Sequence, residues 1–449
     1  MMTLPTADRT LPATAPPISL LGRSRRVLLL ACALSLPFSG FAAAPKVRPQ
    51  PAVRIPLANL GYQSPPQDQL LMNYSTLAVN FVDAEHLLLS YNARRLLRRL
   101  PNDPPDDDDQ EVTALLLTVP IQGSPDAVKT VAWTDWRLHD HSQYLWPLGH
   151  GRFLLRQGLE LRLLAPIEHL NTQQPLASRL LMTMPNPPIS IQISPDEKLM
   201  VLQMENRIAP APTAGGAPAI QVESPIADKT YDIEFLHLNA DAKSTDEFVA
   251  TLGGEQHSPY PLDIPITQQG YLDATQSGPE RWKIAFGPSV AGAKREPLFD
   301  FLSTCRPAME FISGNEFLMV GCQRDVGRFS RGVYTVDGKE LWRYDFPDPD
   351  TFETVKLAEG GSRFALGRIL TSIPLLPGQR FTPDLAVAQQ ITVYEARTGV
   401  QLFNMQASPI QADGRNYDLS PDGQRLAVVA DGEVEIFNLP PPATVFREK

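Results

Sequence analysis

Ser420-Pro421-Asp422-Gly423-Gln424-Arg425-Leu426 lies between two short apolar runs near the end of a 449-residue chain, and Ser194-Pro195-Asp196-Glu197-Lys198-Leu199 repeats its pattern in mid-chain. Proline at the second turn position presets φ near −65°. Asp and then Gly accept the turn and left-handed conformations that close an antiparallel hairpin. Both stretches read as tight turns leading into a strand that opens on a large apolar residue.

Degenerate versions recur along the chain. Strands open on Leu87 after Asp83-Ala84-Glu85-His86, on Phe153 after Gly149-His150-Gly151-Arg152, on Phe317 after Ser313-Gly314-Asn315-Glu316, and on Phe364 after Gly360-Gly361-Ser362-Arg363. With Leu199 and Leu426 the successive gaps are 66, 46, 118, 47 and 62. The long gap is about twice the others, so a degenerate unit belongs between 200 and 300, around Tyr271 to Phe286. Six visible units and one degenerate unit predict an all-β fold: a single β-propeller of seven blades, each of four antiparallel strands. A six-bladed ring with an insertion is the alternative. The last unit shows three strands, 416–419, 425–430 and 433–439, before Pro440 to Pro442. Closure therefore calls for an N-terminal strand, from Val53 to Leu57 or Leu70 to Leu77, which would remove the exposed edges.

Composition agrees. Proline makes up 44 of 449 residues, about twice the usual ~5%, which disfavours helices and suits many short strands joined by turns. A domain of this size fits a ring that grows by adding blades. The spacings imply long solvated loops, with 101–110, 209–219 and 375–385 as candidates.

The first stretch carries Arg23, Arg25 and Arg26, an apolar run from Val27 to Leu36, and small residues around Gly40, Ala42 and Ala44. This pattern reads as a secretory signal peptide over residues 1–42, cleaved after Ala42 because Pro45 disfavours the later site. The run is too short, and Pro37 interrupts it too early, for a membrane span. The domain then occupies 43–449, and no transmembrane segment is expected in the mature chain. Asp8, Arg9, Arg23, Arg25 and Arg26 leave with the leader, moving the formal charge from −10 to −13. An acidic surface argues against nucleic acid as a partner. The one dense basic run, Arg94 to Arg99, sits beside Asp106 to Asp109, which can neutralise it.

Cys305 and Cys322 are the cysteines left after cleavage. In an oxidising compartment they are a disulfide candidate, since a turn near Gly314 and Asn315 would set them nearly opposite each other. Two buried free thiols are the alternative.

At its turn motifs the chain resembles the WD40-like and TolB-like families of bacterial propellers, whose repeats carry a similar Ser-Pro-Asp-Gly turn. In segments such as Asp135 to Asp140, Tyr144 to Leu148 and Gly151 to Arg156 it is closest in pattern to exported WD40-like proteins. That resemblance implies fold and export and brings no activity with it. Asp337-Gly338-Lys339-Glu340-Leu341-Trp342 is similar to the repeat of pyrroloquinoline quinone enzymes and of a related outer-membrane assembly lipoprotein. It occurs once, with a weaker copy at Glu395 to Gly399, and no set of cofactor or calcium ligands accompanies it. No cofactor is expected.

His139-Asp140-His141, with His150 nearby, is the densest set of metal-ligand types; a polar loop is the simpler reading, and no metal site is assigned. Trp133, Trp136, Tyr144 and Trp146 suit a ligand pocket or ordinary core packing. Asp106 to Asp109 lacks the ligand spacing of a calcium loop. Gly287 to Gly292 is one residue too long for a nucleophile elbow, and no other hydrolase or nucleotide-binding motif is present. No catalytic residue is assigned. The sequence thus predicts a periplasmic or secreted, monomeric, non-catalytic propeller acting as a binding or assembly scaffold for protein partners in the cell envelope. The rival is a propeller-type enzyme (lyase, lactonase or glycosidase) with dispersed funnel residues, which a central pocket lined by several of Asp135, His139 and His141 would favour.

Overall fold

The computed structural model describes residues 48–441 apart from 72–76, 93–109, 123, 139–141, 165–175, 208–228, 260, 263, 290–292, 324–327, 347–349 and 374–380. The expected leader, residues 1–42, lies outside the described residues. Strands fall into seven four-stranded antiparallel sheets. In chain order, the innermost strands of blades 1 to 7 are Ala78–Phe81, Leu145–Pro147, Pro188–Ile193, Ile266–Thr267, Ala308–Phe311, Asp350–Leu357 and Tyr417–Leu419. The degenerate unit is blade 4, complete in four strands but with an innermost strand of two residues.

The apolar strand openers decide how blades stack. Leu87, Phe153, Leu199, Phe317, Phe364 and Leu426 are all buried at the start of the second strand of their blades. Side chains alternate across a strand, so a continuous apolar run supplies both neighbouring blades. In blade 7, Leu426 and Val428 pack against Ala365 and Ile391 of blade 6, while Ala427 and Val429 pack against Val79 and Leu87 of blade 1. One such cluster fills each of the seven interfaces, including that between blades 7 and 1. The ring is therefore closed.

Closure uses the first of the two predicted segments. Val53–Pro56 pairs antiparallel with the third strand of blade 7, Val53 opposite Ile436 and Pro56 opposite Glu433. Proline is tolerated there because this strand is an outer edge. The second segment does not close the ring: Leu70 and Leu71 belong to the short helix Gln67–Leu71, which packs on Ile369 and Ile410. Gln67 anchors it by accepting from the Ile410 N–H at 2.9 Å and donating to the Ile410 carbonyl at 2.7 Å.

The turn motif works through its serine. Ser420 Oγ accepts from the Arg425 N–H at 2.9 Å and donates to Asp422, while Gly423 sits at φ 66°. Ser194 Oγ does the same with Leu199 N–H and Asp196. The residue preceding the apolar opener then ties its blade to the next. Arg425 donates to Ala84 and Pro120 carbonyls of blade 1, Arg363 to the Gly423 carbonyl of blade 7, and Arg152 to Ala240 and Ala242 of blade 3. In blade 5 the same place holds Glu316, which accepts from Arg397 of blade 6 at 3.0 Å.

Cys305 and Cys322 form a disulfide with Cα atoms 5.5 Å apart. It fastens the link between blades 4 and 5 to the second strand of blade 5, where Ser303 Oγ also accepts from Cys322 N–H. The two quinoprotein-like segments have a structural use. Trp342 donates to the Ala396 carbonyl and stacks on Phe364 and Tyr394, and Gly399 lies so close that a side chain there would strike the indole. Among the described residues no helix is long and apolar enough to cross a membrane.

Candidate functional site

The innermost strands surround a central channel holding a cavity of about 640 Å³. Strand direction alternates within a blade. The turns joining first to second and third to fourth strands therefore share one rim, and the links joining second to third strands share the other. The channel wall carries Gln192 of blade 3, Glu310 of blade 5, Thr354 and Lys356 of blade 6, and Asp418 of blade 7. Gln192, Glu310, Lys356 and Asp418 each sit between neighbours that pack into the blade interfaces, as Asp418 does between the buried Tyr417 and Leu419. Alternation turns the intervening side chain toward the axis.

Asp418 is 7% exposed, and its Oδ2 accepts from the Phe81 N–H of blade 1 at 2.7 Å. Burial pushes its carboxyl up to about 6, against the opposing pull of Lys356 and the backbone N–H groups of Phe81 and Leu419. The bond spans the seam where the ring closes.

The mouth on the tight-turn rim is formed by Gly149, Glu197 and Glu359. Glu197 occupies the place that Gly423 holds in the sister turn, and it adopts the same left-handed backbone, φ 58°. Its carboxylate lies over Gly149, where an added Cβ would fall 2.3 Å from Glu197 Oε2. Burial, chiefly, and then Glu359 push Glu197 up to about 7, while Arg152 pulls it down. At the opposite mouth Asp413 is paired with Arg415 and accepts from Gln411 Nε2 at 2.8 Å. Fully buried Tyr144 meets Ser90 Oγ at 2.6 Å, and its phenol is pushed up to about 12 by burial.

The residues singled out in the sequence scatter differently. Asp135 is on the outermost strand of blade 1, where it accepts from Thr113 Oγ1 at 2.7 Å, and it does not line the cavity. His139, Asp140 and His141 lie outside the described residues. Among the described residues no group of three His, Cys, Asp or Glu side chains is placed to hold a metal ion. Trp136 and Tyr144 pack in the core between blades 1 and 2, Trp146 is buried at the cavity wall, and Trp133 is 57% exposed on the outer strand. Glu197, Glu310, Lys356, Glu359 and Asp418 were not singled out. Their signal is a single charge inserted in a short apolar inner strand, as in Met309-Glu310-Phe311, Val355-Lys356-Leu357 and Tyr417-Asp418-Leu419, and a Glu where the turn asks for Gly.

No protein-family model matches the chain, and no curated protein matches it in sequence. Similar solved structures exist. The uncomplexed acylaminoacyl peptidase of Pyrococcus horikoshii is 9% identical across 83% of this chain and 52% of its own, with a TM-score of 0.46. The C-terminal WD40 domain of Sif2 is 10% identical across 82% of this chain and 97% of its own (TM-score 0.41). A putative TolB from Agrobacterium tumefaciens is 13% identical across 70% and 94% (TM-score 0.35). This chain spans about half the length of the acylaminoacyl peptidases it matches. The likeness is one of propeller fold.

Proposed function

We propose that this protein is an exported, non-catalytic β-propeller that serves, as a single chain, as a binding or assembly scaffold for a protein partner in the cell envelope. The observation that supports this is the uneven loading of the two rims. On the rim of second-to-third links, blades 2, 4 and 7 turn in two residues each, 158–159, 279–280 and 431–432. Blades 1, 3 and 6 instead insert 93–109, 208–228 and 372–385 at the same place. No two of these three blades are neighbours in the ring, so the strand ends that carry the links, Asn92 and Gln110, Arg207 and Lys229, and Thr371 and Ala386, stand at spaced positions on one rim, while 93–109, 208–228 and 374–380 themselves lie outside the described residues. Polar cross-strand pairs stand at the feet of the first two: Asn92 with Gln110, and Asn206 with Asp232. A rigid ring whose long second-to-third links start and end on one rim suits recognition of a protein surface.

Affinity capture of the tagged mature chain from gently solubilised envelope tests the reading. A stoichiometric protein partner is expected, together with an intact mass that begins at Ala43. A chain recovered alone, or one retaining residues 1–42, would overturn the corresponding half of the proposal.

One observation favours the enzyme alternative. Glu197, held near neutrality at the cavity mouth beside Glu359, has the protonation balance a general acid needs. Turnover of a glycoside or lactone that is lost in Glu197→Gln would establish that reading instead.

A further inference from the structure

We infer that the closed ring parts first between blades 3 and 4, where an opening breaches the wall of the central cavity. The inference does not depend on what the long-loop rim binds.

Two devices recur at the other seams. One is the side chain just before the second strand that crosses to the next blade: Arg152, Glu316, Arg363 or Arg425. The other is a bulge in the outer strand, which turns an extra side chain inward. In blades 1, 2, 4, 5 and 6 the extra residue is Val131, Leu181, Leu298, Leu341 and Leu402, and each packs into the apolar cluster shared with the following blade.

Among the described residues, the seam between blades 3 and 4 has neither. Ser194 Oγ accepts from the Leu199 N–H as Ser420 Oγ does from the Arg425 N–H, so Leu199 stands in the place of the crossing arginine. It is buried against blade 4 and supplies apolar contact but no directed bond. The bulge of blade 3 falls at Gly253, where an added Cβ would lie 2.4 Å from His237 Cδ2. Blade 4 meets this seam with an inner strand of two residues. Polar contacts that do cross include the Gln268 N–H to Asp196 Oδ2 at 3.1 Å and Gln256 Nε2 to the Tyr271 hydroxyl at 3.4 Å. Blades 1 and 4 hold His86 and Gly270 at the crossing place, yet both keep the apolar bulge. The first of their seams adds the Ser90–Tyr144 bond, and the link at the second is fastened by the Cys305–Cys322 bridge.

Local opening follows the least-held contacts of a fold. Ile264 and Ile266 belong both to the cluster between blades 3 and 4 and to the cavity lining, so parting these blades opens the cavity from the side.

Alkylation of single buried thiols tests the inference. Val201 faces this seam and Val428 the seam between blades 6 and 7; both are wholly buried. With Cys305 and Cys322 bonded, Val201→Cys and Val428→Cys each give the mature protein one free thiol. Iodoacetamide should label the first at least about tenfold faster in native buffer, with a shallower urea dependence than global unfolding. Adding Gly253→Leu with His237→Ala, which supplies the missing apolar plug, should slow that labelling. Equal rates, both with the urea dependence of global unfolding, would overturn the inference, as would faster labelling of Val428→Cys. If a cysteine variant does not fold, hydrogen exchange of the unsubstituted chain decides. The Leu262 N–H, accepted by Gln203 Oε1 of blade 3 at 2.9 Å, should exchange faster than the Val79 N–H, accepted by the Arg415 carbonyl at 2.9 Å across the seam between blades 7 and 1. The reverse order would overturn the inference.

Discussion

Arg425 of blade 7 donates to the backbone carbonyl of Pro120 in blade 1 at 2.7 Å, so the seam of the ring is held by a buried guanidinium as well as by the borrowed N-terminal strand. The same group reaches Ala84 at 2.5 Å. Replacing it with Met keeps much of the apolar stem and leaves these carbonyls without a donor. The cost expected is about 2–3 kcal/mol, read as a lower urea midpoint with an unchanged slope. A variant as stable as the parent would mean that the side chain is incidental to closure.

Most of this architecture was legible because it rests on local chemistry. The Ser-Pro-Asp turn and the apolar residue after it mark the second strand of a blade, and the count of such marks gives the ring. Blade 4 was hard to read because its inner strand, Ile266–Thr267, is two residues long and its turn, Gln268-Gln269, carries none of the motif. The inter-blade arginines were legible only in hindsight: Arg152, Arg363 and Arg425 all precede the opener, yet their acceptors come from other blades and have no sequence signature. The cavity was the least legible part. Its charged residues come one or two at a time from blades 2, 3, 5, 6 and 7, and only the ring brings them together.

Asp418 couples stability to pH. Its carboxyl is raised from 3.8 to about 6 in the folded chain, so the folded state holds the proton more tightly than the unfolded one. Stability is greatest below pH ~4 and declines as pH rises through about 6. Asp418→Asn keeps an acceptor for the Phe81 N–H and removes the buried charge. It should match the parent near pH 4 and exceed it by about 2–3 kcal/mol at pH 8. Denaturation at the two pH values checks this, and a gain that is equal at both would contradict it.

Glu197 sits in a left-handed turn position that suits glycine. Glu197→Gly should stabilise by ~1 kcal/mol through the backbone at any pH. A further gain, reduced by partial exposure to about 1–2 kcal/mol, should develop as pH rises from 4.5 through 7. Thermal melts at pH 5 and pH 8 separate the two contributions. Gly149→Ala should act oppositely, because the added carbon meets the Glu197 carboxylate.

The Cys305–Cys322 bridge closes a short loop, with a sequence separation of 17. Replacing both cysteines with Ser should cost about 3 kcal/mol on chain-entropy grounds. Protein from the envelope should contain no reactive thiol by titration in denaturant until a reductant is added. Two free thiols would argue against both the bridge and export to an oxidising compartment.

The scaffold reading is tested most directly by capturing envelope partners with two versions of the mature chain. One is intact, and in the other residues 208–228 are replaced by the two-residue turn Gly158 and Leu159 use in blade 2. Both should melt alike, since the four strands of blade 3 pair and pack through described residues outside that link. The account predicts a stoichiometric partner on the intact chain that is lost from the shortened one. Intact protein that captures no partner, or a partner that binds both versions equally, would contradict recognition by the long-loop rim.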